Sequence, residues 1–435
     1  MTLREESIQI IKKLRSAGYQ ALWAGGCVRD LIMRKKPHDF DIATSALPDE
    51  VEGLFKKTIP VGKKFGVILV QKGKHVFEVA TFRKDQGYKD GRHPIGVKFT
   101  EESEDAQRRD FTINALYYDP VKKKTIDYVD GRKDIKNKLI RTVGNPIKRF
   151  EEDHLRLMRA IRFAANLGFS IDENTWKAIK CSKKLIKKVS AERVRDELIK
   201  MFTRPNAGEA LILLEESGLL KEVLPDIQAM KGVEQPPEFH PEGDVFIHTK
   251  LLMDKLKDPS MVLAFGALLH DVGKPPTKSF QKGRICFYQH AELGAKMSEQ
   301  ILKKLKFSNN EIKDICSLVA NHMKFAAVQE MRQGKLKRLI SLETFSDELE
   351  LHRIDCMSCH EILDNYYFMK KKVKQFKKEE LKPKHFIMGG DLIKLGYSPG
   401  PVMGDIIEQC YEAQLENKIT AKKEAISWVK KHFPR

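Results

Sequence analysis

The stretch "WAGGCVRDLIMRKKPHDFDIAT", residues 23–44, contains the pattern that decides the fold. It reads as a strand that runs into two adjacent glycines, Gly25 and Gly26, followed by a short helix. Glycines at a strand-to-helix turn let a phosphate approach the backbone, where the start of the helix offers unpaired N–H groups. Arg29, one turn into the helix, is placed to add a bidentate contact to a phosphate oxygen. Such a turn is often only structural, so its meaning depends on the residues that come after it in the chain.

Two aspartates flank one phenylalanine ten residues further on, in "HDFDIAT" (38–44). In a strand, Asp39 and Asp41 project from one face while Phe40 projects from the other. Two carboxylates this close repel each other unless a cation lies between them, and Mg²⁺ prefers carboxylate and phosphate oxygens. The combination predicts a site for a magnesium-bound triphosphate and two-metal nucleotidyl transfer. The alternative is a D-x-D pair that ends a strand and pairs with lysines.

The composition is that of a large globular protein with excess positive charge. The 435 residues are enough for two to four domains, and 79 basic against 60 acidic residues give a net charge of +19. That excess favours an anionic partner such as nucleic acid, although solvated lysine faces would produce the same number. No secretory signal or membrane-spanning stretch is apparent, and the seven scattered cysteines indicate a reducing compartment. The sequence therefore predicts a cytoplasmic protein with no membrane partner.

The chain divides by pattern into a mixed head and a helical body. The first 145 residues alternate strand and helix patterns, and from about residue 150 the pattern is helical with short Pro/Gly/Asn breaks. A Pro/Gly-rich segment around 232–243 is typical of a linker between helical domains. The predicted class is α+β: a small head with a mixed sheet, then an extended all-α body.

Further motifs extend the pattern of the opening stretch. "GGCVRD" and "HDFDIAT" resemble the head signature of the tRNA nucleotidyltransferase and bacterial poly(A) polymerase family, in the class shared by bacteria and eukaryotes. Four more motifs come in that family's order: "RRDFTINALYYD" (108–119), "IDYVDGRKDI" (126–135), "EEDHLRLMRAIRFAANLGF" (151–169) and "SAERVRDELIKM" (190–201). The resemblance covers nearly the whole chain and implies a polymerase-β-like head.

The resemblance also implies roles for residues of the head. Gly26 and Arg29 would bind nucleotide phosphates, and Asp39 and Asp41 would hold the catalytic Mg²⁺. Arg109 would contact the nucleotide or the RNA 3′ end, and the same motif supplies its supporting residues, Asp110 and Asn114. Glu78, in the strand pattern "HVFEVATFR", is either a third acidic group of this site or an ordinary exposed carboxylate.

A predicted helix starting near residue 152 carries Asp153, Arg156, Arg159 and Arg162 at spacings of three. An aspartate beside an arginine offers an acceptor and several donors, which suits the Watson–Crick edge of cytosine or adenine. Without other information, mixed charges at this spacing indicate a solvated ladder of ion pairs. The resemblance favours the other interpretation, in which Asp153 and Arg156 read the base. It also associates the loop "QGYKDGRHPIGVKF" (86–99) with the addition of A, since enzymes that add only C are typically shortened there.

Histidines and aspartates recur between 240 and 356, in "HPEGDVFIHT", "LLHDVGKP", "FYQHAELG", "VANHM" and "LHRIDC". The set resembles the HD domain of metal-dependent phosphohydrolases, whose core positions match His248, His270, Asp271 and Asp355. His290 and His322 match additional ligand positions of some members. The resemblance implies a second divalent metal site, or a module that is mainly structural.

The predicted organisation has four parts. They are a nucleotidyltransferase head (1–145), a helical neck that binds base and RNA (146–232), an HD domain (233–365) and a helical tail (366–435). The tail contains "MGGDLIKLGYSPGPVMGDIIEQC" (388–410) after a lysine-rich run, and either contacts the tRNA backbone or presents a solvated lysine face.

The leading prediction is an enzyme that adds CMP and AMP from CTP and ATP to the tRNA 3′ hydroxyl, completing or repairing CCA. An A-only tRNA enzyme and a poly(A) polymerase are alternatives with the same active site, although "IPVGKKFGVILV" (59–70) favours the tRNA enzymes. A third alternative is an HD phosphohydrolase whose head only binds RNA, and the intact Asp-x-Asp pair argues against it. The sequence indicates no protein partner.

Overall fold

The computed structural model describes residues 1–88, 91, 94–238, 240–377 and 381–434. These form two compact units, Met1–Gln228 and Ala229–Arg435. Among the described residues, no helix is both long enough and apolar enough to cross a membrane. All seven cysteines are free thiols.

The first unit combines strands and helices. Its strands are β1 (Ala21–Ala24), β2 (Asp41–Thr44), β3 (Thr58–Gly62), β4 (Val67–Lys72), β5 (His75–Thr81), β6 (Arg83–Tyr88), β7 (Pro94–Phe99), β8 (Leu116–Asp119), β9 (Lys124–Asp127), β10 (Leu139–Ile140) and β11 (Ser170–Ile171). Its helices are α1 (Leu3–Ser16), α2 (Gly26–Ile32), α3 (Pro48–Leu54), α4 (Glu102–Arg108), α5 (Gly131–Lys136), α6 (Pro146–Glu152), α7 (Arg156–Leu167), α8 (Glu173–Ser182), α9 (Ala191–Phe202), α10 (Ala207–Ser217), α11 (Leu219–Val223) and α12 (Pro225–Gln228). Short 3₁₀ turns cover Lys63–Phe65, Thr112–Asn114 and Lys183–Lys188.

A seven-stranded mixed sheet has the order β3-β4-β5-β2-β1-β8-β9. Strand β1 is buried along its whole length and pairs antiparallel with β2, with Ala24 opposite Asp41. On its other side, β2 pairs parallel with β5, with Ile42 opposite Val79. The mixed-sheet head is therefore confirmed. One detail differs, because β2 begins at Asp41 and Asp39 lies in the segment that leads into it.

The helix expected from residue 152 is interrupted. Helix α6 begins at Pro146 after an Asn145 cap and ends at Glu152, and α7 starts only at Arg156. Asp153 has extended backbone angles, and its carboxylate accepts a hydrogen bond from the Leu155 amide at 3.1 Å. An aspartate that bonds the nearby backbone in this way competes with helical hydrogen bonding. Asp153 therefore lies in the junction between two helices and not on the helix face that carries the arginines.

The loop predicted at 86–99 is an antiparallel hairpin at its two ends, formed by β6 and β7. Of the segment "DGRHP", Asp90, Arg92 and His93 lie outside the described residues, as does the preceding Lys89. The part assigned to the addition of A therefore stays a prediction.

The second unit is mainly helical, as expected. Its helices are α13 (Val245–Asp254), α14 (Met261–Leu269), α15 (Lys274–Thr277), α16 (His290–Lys304), α17 (Asn309–Asn321), α18 (Gln333–Ile340), α19 (Phe345–Ser358), α20 (Asp364–Gln375), α21 (Gly389–Lys394), α22 (Pro401–Leu415) and α23 (Lys422–His432), with a 3₁₀ segment at His322–Glu330. A hairpin of β12 (Lys278–Gln281) and β13 (Arg284–Phe287) interrupts them and was not predicted. Helix α14, rich in Leu, Ala and Phe, is buried where it packs against α13, α17 and α19.

Candidate active site

A cavity of about 820 Å³ opens in the first unit, and the residues singled out in the head and neck sequence motifs line it. They are Gly25, Gly26, Arg29, Asp39, Asp41, Arg109, Asp110, Asn114, Asp153, Arg156, Arg159 and Arg162. The turn after β1, helix α2 and the start of β2 supply one side of the cavity, and helix α7 supplies another. The structure thus brings together residues that are more than a hundred positions apart in the chain.

Three carboxylates of the sheet region influence one another. Asp41 and Glu78 lie on the adjacent strands β2 and β5, and Asp39 immediately precedes β2. Burial, then the negative charges of Glu78 and Asp39, raise the pKa of Asp41 to about 7, although Arg109 opposes the rise. The pKa of Glu78 is also raised, first by desolvation. Crowded carboxylates of this kind are stabilised by a cation, so the donor set fits a divalent metal ion.

The glycine turn lies beside these carboxylates. Gly25 has a φ of +73°, which favours glycine, and a Cβ atom there would lie 3.3 Å from the Arg109 guanidinium. Arg29 donates to the Asn114 side-chain oxygen at 2.7 Å, and the Asn114 amide donates to Asp110 at 3.2 Å. The glycine turn and the motif around Asp110 are therefore joined by direct side-chain hydrogen bonds.

The α7 side of the cavity is a wall of arginines around one aromatic ring. Arg159 donates to Asp110 at 2.5 Å, and Arg162 donates to Glu197 at 2.6 Å. The guanidinium carbons of Arg29, Arg159 and Arg162 lie 5.4, 5.3 and 4.1 Å from the centre of the Phe163 ring. These are cation–π distances, which restrict the orientation of the guanidinium groups. The wall is not the solvated ladder that was the alternative interpretation.

Asp153 and Arg156 line the same cavity but are held by different partners. Both carboxylate oxygens of Asp153 accept from Arg193, each at 3.1 Å. Arg156 is only 8% exposed, and it donates to Glu152 at 2.7 Å and to the carbonyl of Arg149 at 3.1 Å. Each side chain is thus held by its own partners, Asp153 in the junction between α6 and α7 and Arg156 at the start of α7.

Sequence reasoning missed the residues that hold this wall. Glu197 and Arg193 lie one turn apart on α9, within the motif "SAERVRDELIKM", and Glu197 is only 2% exposed. Their spacing of four is that of helix neighbours, which was the available signal. Lys200 and Arg204 also line the cavity and were not singled out.

The ion pair of Asp110 with Arg159 predicts a change in acid stability. Burial alone would raise the pKa of Asp110, but Arg159, together with Arg156 and the Phe111 amide, outweighs it and lowers the pKa from 3.8 to about 2. Because the folded-state pKa is depressed, this contribution is present above the unfolded-state pKa and is lost as the pH falls towards 2. We expect the gap in unfolding free energy between the wild type and Asp110→Asn, measured with urea, to shrink by roughly 1–2 kcal/mol from about pH 6 to about pH 2.5. An unchanged gap would contradict this electrostatic assignment.

A second cluster lies in the second unit, where buried histidines and carboxylates meet. His248 comes from α13, His270 and Asp271 come directly after α14, and Asp355 comes from α19. His248 Nε2 lies 3.0 Å from an Asp355 oxygen, and His270 Nε2 lies 3.2 Å from an Asp271 oxygen. At both ring nitrogens of His248 and at His270 Nε2, these close approaches lack the geometry of a hydrogen bond. Ligand atoms that are close but not hydrogen-bonded fit a shared metal ion, and imidazole and carboxylate are suitable donors for one.

The additional histidines join the same cluster. His290 Nε2 and His322 Nε2 lie 3.6 and 3.8 Å from Asp271 Oδ1 and 3.2 Å from each other. Glu242, to which the motif "HPEGDVFIHT" assigned no role, has a carboxylate oxygen 2.7 Å from His248 Nδ1. The residues with the HD pattern are therefore together in one buried region of the second unit.

Comparisons with known proteins agree with this arrangement. Residues 21–141 match the family model described as "Poly A polymerase head domain". Residues 168–231 match a model for an RNA and SrmB binding site of polymerase A, and residues 284–429 match one for tRNA nucleotidyltransferase domain 2. Parts of both units thus match models that are described for poly(A) polymerase or for tRNA nucleotidyltransferase.

Similarity to individual proteins extends over different lengths. The CCA-adding enzyme of Lactobacillus helveticus is 42% identical over 231 residues, and the match spans 53% of this chain and 57% of that protein. The first curated relatives are thus matched over only about half of their length. The CCA-adding enzyme of Limosilactobacillus reuteri is 32% identical over 423 residues, which span 95% of this chain and 93% of that enzyme.

A solved structure agrees over the full length. It is the crystal structure of the Bacillus stearothermophilus CCA-adding enzyme in complex with CTP, which is 27% identical in sequence. The match covers 99% of this chain and 98% of that one, with a TM-score of 0.76. Together with the near full-length match to the L. reuteri enzyme, it shows that the chain belongs to the family of CCA-adding enzymes.

Proposed function

We propose that this chain adds CMP and AMP from CTP and ATP to the 3′ end of tRNA, completing or repairing the CCA sequence and releasing pyrophosphate. The observation that carries the proposal is one shared cavity, which has carboxylates and the glycine turn on the sheet side and Asp153 and Arg156 on the helix side. Membership of the CCA-adding family and the likeness to an enzyme solved with CTP support the choice of substrates. The predicted location is the cytoplasm.

The sheet side would bind the reacting groups. Asp39 and Asp41 would hold Mg²⁺, which when bound supplies activation of the attacking 3′ hydroxyl and stabilisation of the leaving pyrophosphate. The Gly25–Gly26 backbone would lie against the triphosphate, with Arg29 and Arg109 donating to its oxygens. Asp110 and Asn114 would keep Arg29 in place, because they join it to Arg159 through hydrogen bonds.

The helix side would choose the base. The Asp153 carboxylate would accept from the exocyclic amine that cytosine and adenine share, and Arg156 would donate to a ring nitrogen or carbonyl. Uracil and guanine present an oxygen where the amine would be, so an aspartate at that position repels them. Arg159 and Arg162, fixed by Asp110 and Glu197, would complete the cationic wall.

One experiment separates this function from its alternatives. Purified protein would be incubated with tRNA that ends at the discriminator base, at C or at CC, with CTP and ATP supplied separately and together, and the 3′ ends sequenced. A CCA-adding enzyme completes all three substrates and then stops. An A-only enzyme extends only the tRNA ending in CC, and a poly(A) polymerase adds runs of A. Protein that releases phosphate but extends no RNA would point to the HD phosphohydrolase alternative.

We also propose that the second unit binds a divalent metal ion through His248, His270, Asp271 and Asp355, with His290 and His322 as further ligands. The support is the convergence of these imidazole and carboxylate groups, several of whose close approaches lack hydrogen-bond geometry. The four-part division at 145, 232 and 365 remains part of this proposal, with the tail contacting the tRNA backbone.

Removal of one donor tests the metal proposal. We expect purified wild type to retain a transition metal by elemental analysis and His270→Ala to lose most of it, because a remaining set with one ligand fewer binds more weakly. His432, in the same unit, stacks on Trp428 away from the cluster, so His432→Ala is the matched control. Equal metal content in wild type and His270→Ala would contradict the assignment.

A further inference from the structure

Asp105, on helix α4, is a buried carboxylate surrounded by donors. It is 1% exposed, and its Oδ1 accepts from the Arg83 amide at 3.1 Å and from Arg108 at 2.7 and 2.9 Å. Its Oδ2 accepts from Tyr117 at 2.6 Å and from Arg109 at 3.1 and 3.2 Å. The spacings of three and four along the chain place both arginines on the same side as Asp105. Asp105 itself does not line the cavity.

Both arginines of this group, Arg108 and Arg109, line the cavity, and Arg109 is the one that lies beside the glycine turn. Its Nη1 lies 3.4 Å from the Asn114 carbonyl and beside the glycine turn at Gly25. Its positive charge favours the ionised forms of Asp41 and Glu78 and therefore opposes the rise in the pKa of each. Within the described part of the chain, however, the ion pair that Arg109 makes is the one with Asp105, at 3.1 Å.

This geometry implies a competition for the carboxylates of the site. A guanidinium without its partner would pair with the nearest unneutralised carboxylates, because an unpaired charge in a partly buried site is costly. Asp41 lines the same cavity as Arg109, and Glu78 lies on the strand paired with that of Asp41, so both carboxylates lie where the charge of Arg109 acts on them. A guanidinium bound to them would occupy the oxygens that a metal ion needs.

We propose that Asp105 is a positioning residue that holds Arg109 back from Asp41 and Glu78 and so keeps these carboxylates available for a divalent cation. The inference rests on the proposed function for the identity of the metal site. Asp105 does not line the cavity, so its effect on a metal ion there would pass through Arg109.

The test is Mn²⁺ binding to the full-length protein, monitored by the electron paramagnetic resonance signal of free Mn²⁺. The head-site component is defined as the binding that disappears in Asp39→Asn/Asp41→Asn, which separates it from metal bound in the second unit. We expect Asp105→Asn to weaken this component by about tenfold to a hundredfold, as for other residues that position a metal site from outside it. The double variant Asp105→Asn/Arg109→Gln should restore the affinity, because the competing guanidinium is gone.

Asp134 provides a matched control. It is also a buried carboxylate, 2% exposed, which accepts from Thr112 at 2.7 Å and pairs with Arg141 at 3.2 Å, but it does not line the cavity. Asp134→Asn should reduce stability without changing the Mn²⁺ affinity. A loss of affinity there equal to that in Asp105→Asn would indicate a general structural effect and overturn the inference.

The outcomes are distinguishable. If folded Asp105→Asn binds Mn²⁺ with wild-type affinity, or if the double variant does not recover that affinity, the inference is overturned and the proposed function is not affected. If Mn²⁺ binding by the wild type has no head-site component, that result contradicts the proposed function and, with it, the inference. If Asp105→Asn does not fold, the double variant, which leaves no unpaired guanidinium at position 109, is measured in its place, and weak binding there is equally contrary to the inference.

Discussion

Asp39→Asn and Asp41→Asn are expected to abolish nucleotide transfer while leaving tRNA binding nearly intact. Each change removes a negative charge from the carboxylates beside the glycine turn but keeps the size of the side chain. Loss of metal-dependent stabilisation is worth several kcal/mol, so the rate should fall by about a thousandfold or more. The measurement is single-turnover addition of CMP to tRNA lacking CCA, with tRNA affinity measured in parallel by filter binding.

The control for this pair is Asp49→Asn. Asp49 lies in α3, its side chain is 84% exposed, and it pairs with Lys63 away from the cavity. The substitution changes the net charge by the same amount and should leave the rate unchanged. Transfer at the wild-type rate in Asp39→Asn or Asp41→Asn would remove the basis for assigning the metal to these residues.

Arg156→Ala is expected to relax the choice of base. A bidentate contact to a base edge is worth about 1–3 kcal/mol of discrimination, which corresponds to about a tenfold to a hundredfold change in selectivity. The ratio of kcat/KM for CTP and ATP to that for UTP and GTP should fall by that factor, and the rate with CTP should also decrease. Single-nucleotide incorporation with each triphosphate measures these ratios directly.

Arg156 is buried, so its removal also changes packing, and two variants separate the effects. Arg156→Lys keeps the charge but not the planar fork of donors, and it should lose selectivity as well. Arg132, an exposed arginine on α5, serves as the matched control, and Arg132→Ala should retain wild-type selectivity. Undiminished selectivity and rate in Arg156→Ala would refute the assignment of base reading to this residue.

The sheet side of the site was predictable because its residues are close together in the sequence. Gly25, Gly26, Asp39 and Asp41 lie on or beside two neighbouring strands, so the periodicity of a strand and the chemistry of glycine and aspartate were enough. The class of fold came from the same patterns. The start of β2 could not be predicted in this way, because Asp39 and Asp41 are the same residue type and differ only in whether their backbone belongs to the sheet.

The helix side was less predictable, because its geometry depends on partners elsewhere in the chain. A spacing of three suggested one continuous helix through Asp153 and Arg156, but the Asp153 side chain bonds to its own backbone and ends the first helix. Arg193 and Glu197 hold the wall from α9, and nothing local to α7 identifies them. The spacing of residues in one sequence predicts which side chains share a helix face. It does not predict which residues of other helices form ion pairs with them, because that depends on tertiary packing.

The central place of β2 also determines how this site responds to fluctuations. Edge strands and loops open locally at low free energy, whereas a strand hydrogen-bonded on both sides separates only in larger unfolding events. Because β2 is paired with β1 and β5, Asp41 keeps its place while the periphery of the unit moves. Arg156 begins a helix after an irregular junction and has no such protection. If these residues have the roles proposed above, partial unfolding by heat or denaturant disturbs the selection of the base before it disturbs the chemistry of transfer.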